Sequence, residues 1–565
     1  MFPLSAAQKI VWLQQQVLPE SRAYHATAVV EFHGEFDPVV IRRCIADAVG
    51  RHDAFRIRMC DTDSGIPLQE VVADISVEVS RFDLRDADDP AGRREELLRG
   101  QVSTAFDLRT APLVRWMLLH LADGHWQLVM TEHHLVHDGR STVIFLNDVL
   151  DQYAAEMSGG DHVPAAAPSY EEYVAHTGSD EYRARVAADV AWWAERLDGA
   201  RFSVDFPTLG TRRSALFDHR GGQFRQVLPA ALMDQVRDVA QESGHTVFAT
   251  LLAVHAELCR RHSGQDDLVI GMPLANRPVE FEHTVGMMVG AVPLRLAIDP
   301  LAPGSDLAEE AMTAVFDAID HESAPIQDLV TALKRSSKGL GNPLFNIMFA
   351  MHDAPCPPVK IPGLSVNMEI AVSAGSTKFD LSVVVMPDKV LQADHGDHGY
   401  ELVWEYSTQM FGPEDVETLA TGFETLLRAY VARPSAPIGT LAPAVAARPA
   451  RDARNKDEEF GAADAADAAD AAEAAEAAPR AGEAPATDAG TPSGSLWLQA
   501  FRHILERDDI DEDTDFFQAG GYSLLVPLLV AHYETLAGRR TPTSLVFEFS
   551  LPRELEAATA ATAGR

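Results

Sequence analysis

"TEHHLVHDGRS", Thr131 to Ser141, is the stretch on which the reading of this chain turns. The residues leading into it, "HWQLVMTEHH", alternate Trp126, Leu128 and Met130 against mostly polar neighbours, the period of a strand with one buried face. Asp138 and Gly139 supply a turn, and "STVIFLNDVLDQY" begins a helix. His133 and His134 therefore close a strand. An imidazole titrates near neutrality, so at a strand end it can orient a nucleophile or take its proton. Neighbouring strand residues point to opposite faces, and no HExxH spacing accompanies the pair. The histidines are therefore not read as zinc ligands, and no metal is expected. His137 shows no perturbing partner in the sequence and is read as a bland position.

Around this stretch, residues 1–444 read as mixed α/β. "IRRCIADAVGRHDAFRIRM" starts as an amphipathic helix and ends in a short strand. "TVFATLLAVHAELCRRHSG" is apolar almost all round, so the helix it predicts is buried, with its end marked by basic residues and Gly264. "DDLVIGMPL" follows as a buried strand.

The whole chain has 565 residues, long enough for roughly three or four domains. Hydrophobic residues make up 46 % and charged residues 23 %, the balance of a globular protein with a large core. The net charge of -37 argues against a nucleic-acid partner, which needs a basic face, and against an anionic membrane surface. No apolar run is long enough to span a bilayer. "MFPLSAAQKIVWLQQQ" lacks the basic start and apolar core of a secretory signal. Cys44, Cys60, Cys259 and Cys356 form no CxxC pair, which fits a reducing compartment, and a cytoplasmic location is expected.

Residues 445–494 change character. "GAADAADAADAAEAAEAAPRAGEAPATDAGTPSG" has almost no large apolar side chain to offset the entropy of ordering. It reads as an Ala/Asp/Glu-rich flexible linker with a root-mean-square span of roughly 35–45 Å. Residues 495–562 then form a compact helical unit. "LWLQAFRHILE" and "SLLVPLLVAHYETLA" are amphipathic helices, the second tolerating Pro527 near its first turn, and "SLVFEF" and "PRELEAATA" suggest two short ones. Ser523 precedes the second helix. On position alone it is a helix cap. The glycines Gly520 and Gly521 let the backbone turn tightly and leave the serine exposed, while Phe516 and Phe517 can anchor the preceding loop.

Two family resemblances follow from these motifs. "HHLVHDG" matches the HHxxxDG signature of the condensation domains of nonribosomal peptide synthetases, within the chloramphenicol acetyltransferase-like superfamily. "LSAAQKIVWLQQQ", "RHDAFRIR", "YEEYV", "GQDDLVIGMPLANRP", "VGMMVGAVPLR", "HESAPIQDLV" and "NPLFNIMF" resemble its other motifs and fall in its order. The resemblance spans residues 1 to about 440. It implies an α/β fold of two lobes, 1–175 and 176–444, with the active site in a tunnel between them reached from two faces. It assigns catalysis to His134 as base or as positioner of the amine, with His133, Asp138 and Gly139 completing the motif. His133 and Asp138 look structural, with Asp138 paired to Arg277 of "NRP" to hold the loop, and Gly139 keeps the passage to His134 open. Gly290 stands where the family usually has asparagine, a departure that bears on substrate choice.

"DTDFFQAGGYSLLVPLL" resembles the peptidyl carrier (thiolation) domain of the same synthetases, an all-α four-helix bundle. The resemblance implies a 4′-phosphopantetheine arm on Ser523. Tyr522 departs from the usual histidine or aspartate. The intact histidine pair argues against heterocyclisation, and the domain order against epimerisation. Amide formation is the expected reaction. Ester formation with a hydroxyl acceptor, or an inactive platform presenting its carrier to tailoring enzymes, are the alternatives. No adenylation motif occurs between the two units. The expected partners are therefore a separate adenylation enzyme that loads Ser523, a donor carrier protein and a phosphopantetheinyl transferase.

Overall fold

The computed structural model describes residues 1–443 apart from 63–65, 165, 210–216, 336–340, 353–360, 362, 370–371 and 388–398. Of the C-terminal unit it describes 495–562 apart from 506, 508, 517–518, 520–525, 540, 542–544 and 547–548. The expected linker and the expected attachment residue Ser523, with Gly520, Gly521 and Tyr522, lie outside the described residues.

The strands of the first half are β1 (Phe2–Pro3), β2 (His25–Gly34), β3 (Ile57–Cys60), β4 (Leu68–Val71), β5 (Val79–Asp83), β6 (Val114–Ala122) and β7 (His125–His133). Those of the second half are β8 (Gly221–Leu228), β9 (Asp267–Leu274), β10 (Gly290–Ala297), β11 (Ile347–Met351), β12 (Leu364–Glu369), β13 (Leu381–Pro387) and β14 (Tyr400–Ser407). They build two main sheets, ordered β12-β2-β7-β6-β5 and β10-β9-β11-β13-β14-β8, and a small one, β1-β4-β3. In the first sheet β2 and β7 run antiparallel at the centre, with His25 opposite His133 and Val30 opposite Leu128. In the second, β11 lies parallel to both β9 and β13.

Each sheet has its own core. The helix Pro38–Arg51 is started by Asp37, whose carboxylate accepts from the Val39 and Val40 amides, with proline in the first turn where its missing donor costs nothing. Its Ile41, Ile45 and Val49 join Phe145 and Val149 of the helix Gly139–Met157 against Trp116, Leu118 and Met130 of the first sheet. In the second core the helix Val247–Ser263 is buried on nearly every face, as its apolar sequence predicts. Thr246 caps its start, and Gly264, at φ 71°, ends it in the left-handed region.

Two segments of the second half reach back to the first sheet. β12, late in the sequence, leaves the second half to pair with β2, placing Val366 opposite Phe32. The connection from β9 to β10 buries Val285, Met287 and Met288 in the first core before β10 returns to the second sheet. At the C-terminus the helices Leu496–Leu505, Val526–Ala537 and Pro552–Thr562 enclose Trp497, Phe501, Phe516, Tyr533 and Leu555. The Trp497 and Tyr533 rings stack at 3.8 Å. The further helix expected at "SLVFEF" falls largely outside the described residues. No helix among the described residues is long and apolar enough to cross a membrane.

Where the β9–β10 connection meets the first core, the fit is tight. A Cβ on Gly286 would stand 2.0 Å from Cδ2 of Tyr170. Tyr170 cannot swing away freely, because its hydroxyl donates to the Met287 carbonyl at 2.7 Å and can accept from the Ser5 hydroxyl at 3.1 Å. Gly286→Ala is therefore expected to destabilise the protein by about 1–3 kcal/mol through overpacking. Thermal melting checks this, and an unchanged midpoint would show that the connection gives way easily.

Candidate active site

The strand alternation read from the sequence sets the site. β7 ends at His133, whose side chain lies on the face opposite to Met130 and Glu132, edge-on to His25 and Phe106 with ring centroids 5.8 Å away in each case. Glu132 and His134, on the opposite face, line a cavity of about 1290 Å³ between the two sheets. Tyr24 and Gly139 line it from the first half of the chain, and Arg277, Gly290 and Lys378 from the second.

The turn after β7 is held by hydrogen bonds. The His134 amide donates to the Tyr24 carbonyl at 2.9 Å, and the Val136 amide to the His133 carbonyl at 3.1 Å. His134 Nδ1 lies 3.4 Å from the His137 carbonyl, a long contact that favours the proton on Nδ1. That tautomer leaves the Nε2 lone pair available. Burial, then the Lys378 charge and His137, lower the basicity of His134 well below the ordinary imidazole range. At neutral pH it is therefore an uncharged acceptor.

Asp138 does three jobs with one carboxylate. It caps the helix Gly139–Met157 by accepting from the Ser141 amide at 2.8 Å. It takes Arg277 Nη2 at 2.9 and 3.0 Å, with both side chains nearly inaccessible at 3 % and 5 %. It also accepts from the Met288 and Val289 amides at 3.0 and 3.2 Å, which fastens the β9–β10 connection to the end of β7. Ser141 Oγ donates to Asp138 at 2.7 Å and accepts from the Gly286 amide at 3.0 Å.

The two glycines differ. A Cβ on Gly139 would press on the His352 ring at 3.1 Å. A Cβ on Gly290 would meet nothing within 4 Å, so the first position of β10 opens onto free space in the cavity.

The structure thus brings His134, Asp138, Gly139 and Arg277 together and sets His133 behind them. It adds residues that the sequence reading missed. His137, read there as bland, is 1 % exposed and lies flat against His134, with ring centroids 4.8 Å apart and planes 5° from parallel. Glu132 is equally buried, and burial pushes its carboxyl up to about 8. Lys378 Nζ sits 5.1 Å over the Tyr24 ring, its basicity lowered by burial and partly restored by Glu405. The strand period, which puts Glu132 on the face of His134, is the one signal in the sequence that points to any of these.

The structure thus sets a neutral histidine in a cavity between two mixed sheets, with its loop latched by a buried carboxylate–guanidinium pair. The chain belongs to the condensation-domain family: the family model described as "Condensation domain" matches residues 1–447. Members of this family are amide-forming, acyl-transferring enzymes of nonribosomal peptide synthetases. The chain is 29 % identical over 449 residues to phosphinothricin tripeptide synthetase PhsB of Streptomyces viridochromogenes, covering 78 % of this chain and 36 % of that protein. It is 28 % identical over 417 residues to malpinin synthetase of Mortierella alpina, covering 74 % and 5 %. The chain therefore spans only a small part of the length of these curated relatives. Among solved structures, its fold is similar to the starter condensation domain of rhizomide synthetase, with a TM-score of 0.69 and 22 % identity over 78 % of this chain and 96 % of that one. The first condensation domain of the calcium-dependent antibiotic synthetase gives 0.68 and 23 % over 78 % and 99 %.

Two outcomes test this site. Asp138→Ala leaves the Arg277 guanidinium buried and unpaired, and is expected to cost about 3–5 kcal/mol in thermal or denaturant unfolding. Glu132 supplies a pH test. Its folded carboxyl holds a proton that the unfolded chain releases near pH 4.5, so its burial costs stability progressively as pH rises from 4.5 toward 8. The melting difference between Glu132→Gln and wild type is expected to shift in favour of the variant between pH 5 and pH 8. A difference independent of pH would show that Glu132 is ionised in the folded protein.

Proposed function

We propose that the chain is a condensation–carrier didomain that forms an amide bond between a donor acyl or aminoacyl thioester on a separate carrier protein and an acceptor on its own carrier unit. The observation that carries this reading is the place of His134 on the wall of the cavity between the two sheets, on a loop latched through Asp138 to Arg277. The acceptor amine attacks the donor thioester carbonyl, the C–S bond breaks, and the proton lost by the amine ends on the departing thiolate. A neutral imidazole can accept a hydrogen bond from the amine and orient its lone pair, or take the proton and pass it on. Asp138 and Arg277 hold the loop that carries it, and Gly139 leaves room for His352 beside it.

In this proposal Ser523, in "GGYSLL" before the helix Val526–Ala537, carries 4′-phosphopantetheine. When bound, that group supplies the thiol that holds the acceptor as a thioester and the reach to bring it to the cavity. A phosphopantetheinyl transferase attaches it, a separate adenylation enzyme charges it, and the work is done in the cytoplasm. The domain order supports an acceptor on Ser523 and a product that stays there.

The test is the intact mass of this protein. Wild type incubated with coenzyme A and a carrier-protein transferase is expected to gain the arm, and Ser523→Ala is not. With Ser523 charged from a panel of aminoacyl-coenzyme A thioesters, and a separate carrier charged from a panel of acyl groups, the added acyl mass is expected on this protein. His134→Ala is expected to lower that single-turnover rate by about 10²–10⁴-fold without changing the loading of Ser523. Product on the partner carrier would reverse the direction. Wild-type turnover by His134→Ala would remove the histidine from the chemistry.

A further inference from the structure

His137 and Glu132 form a buried polar cluster directly behind the proposed catalytic imidazole. Both side chains are 1 % exposed, and His137 Nδ1 stands 3.4 Å from the Glu132 carboxyl. Thr142 Oγ1 donates to Glu132 at 3.0 Å and lies 3.3 Å from His137 Nδ1. His137 Nδ1 also lies 3.2 Å from the Asp138 carbonyl. Glu132 Oε1 and His137 Nε2 have no hydrogen-bond partner among the described residues. An apolar pair of the same size would avoid that desolvation cost, so packing alone does not account for these two residues.

His137 touches His134 in two ways. Its carbonyl is the hydrogen-bonding partner of His134 Nδ1, and its ring covers one face of the His134 ring in a near-parallel stack. At 3.4 Å the hydrogen bond is weak, so it cannot by itself fix the His134 ring plane. The stacked ring can. It is itself held in place from the far side by Glu132 and Thr142, on β7 and on the helix Gly139–Met157.

We infer that His137 is a positioning residue for His134, a rigid imidazole held by Glu132 and Thr142 that fixes the His134 ring plane so that Nε2 meets the reacting amine. The role of that alignment rests on the function proposed above; the fixing of the ring does not. Misplacing a reacting group by about 1 Å can cost on the order of 100-fold in rate, which sets the size of the effect.

The arrangement also makes the site sensitive to alkaline pH. The charged and titratable groups around it are Asp138, paired with Arg277; Lys378, beside Tyr24 and near Glu405; and His133 on the reverse face of β7. Asp138 adds to the burial that keeps Glu132 protonated at neutral pH. Ionising Glu132 would put an anion against His137 with no cation in hydrogen-bonding reach of it among the described residues. It would draw a proton onto His137 and charge the stack.

The test compares wild type, His137→Ala, His137→Phe and Glu132→Gln, each as the full chain. Crystal structures at pH 7 are expected to show a single His134 ring orientation in wild type and in His137→Phe, which keeps a flat ring, and several orientations in His137→Ala. One fixed orientation in His137→Ala overturns the proposal whatever the turnover. In the single-turnover assay, His137→Ala is expected to lose about 10–100-fold in rate with unchanged half-saturation for the donor carrier. His137→Phe is expected to recover most of that loss. An undiminished rate in His137→Ala, or a loss that Phe leaves uncorrected, also overturns it. The ratio of Glu132→Gln to wild-type rate is expected to rise above pH 8, and a ratio flat across pH 6–9 removes Glu132 from the device. If wild type forms no product while the ring order still depends on His137, the positioning stands and the proposed reaction falls.

Discussion

The Asp138 carboxylate is the point on which the site depends. Its two oxygens receive a helix start, a buried guanidinium and two amides of the β9–β10 connection. Each partner belongs to a different part of the chain, so the carboxylate fixes the end of β7, the first turn of the following helix and a segment arriving from the second sheet. A buried charge pair gains little net stability over apolar packing, because desolvation offsets the Coulomb attraction. What it gives is geometry. Apolar contacts could slide, whereas a carboxylate with this set of donors accepts one arrangement. His134, four residues before it, inherits that precision.

The same logic separates the satisfied groups from the unsatisfied ones. Asp138 and Ser141 are fully engaged. Glu132 Oε1, His133 Nε2 and His137 Nε2 lack partners among the described residues, and all three lie within five positions of His134. Burial without compensation keeps histidines neutral and carboxyls protonated. The outcome is a cluster of uncharged imidazoles beside a neutral acid at pH 7, next to an ion pair that carries the local charge. Lys378 adds a cation that disfavours protonation of His134.

Local features of this architecture are legible in the sequence, and features made by distant pairing are not. The helix Val247–Ser263 and the strand β7 follow directly from apolar periodicity. The HHxxxDG spacing locates His134, and the "NRP" segment locates the arginine that reaches Asp138 across 139 positions. β12 carries no mark that it would leave its neighbours and pair with β2, because register across more than 300 residues is set by the finished sheets. His137 looks bland in the sequence for a related reason. Its environment is made by the turn at 134–137, which stacks the two rings, and by Glu132 across the strand end. A single histidine in a string shows neither.

The two glycines of the site show how one residue type serves opposite ends. At Gly139 the missing side chain is already used, because His352 fills the space where a Cβ would go. A substitution there would push a ring at the edge of the cavity beside His134. At Gly290 the space is empty, and the backbone is extended at the start of β10, so a larger residue would fit without strain. The volume at Gly290 is therefore available to something other than this chain. Met288 and Val289, just before it, line the same cavity, with their amides held by Asp138, so the open space borders the latched segment itself. Rigidity is therefore concentrated at Asp138 and the segments it holds, and open space begins one residue beyond Val289, at Gly290.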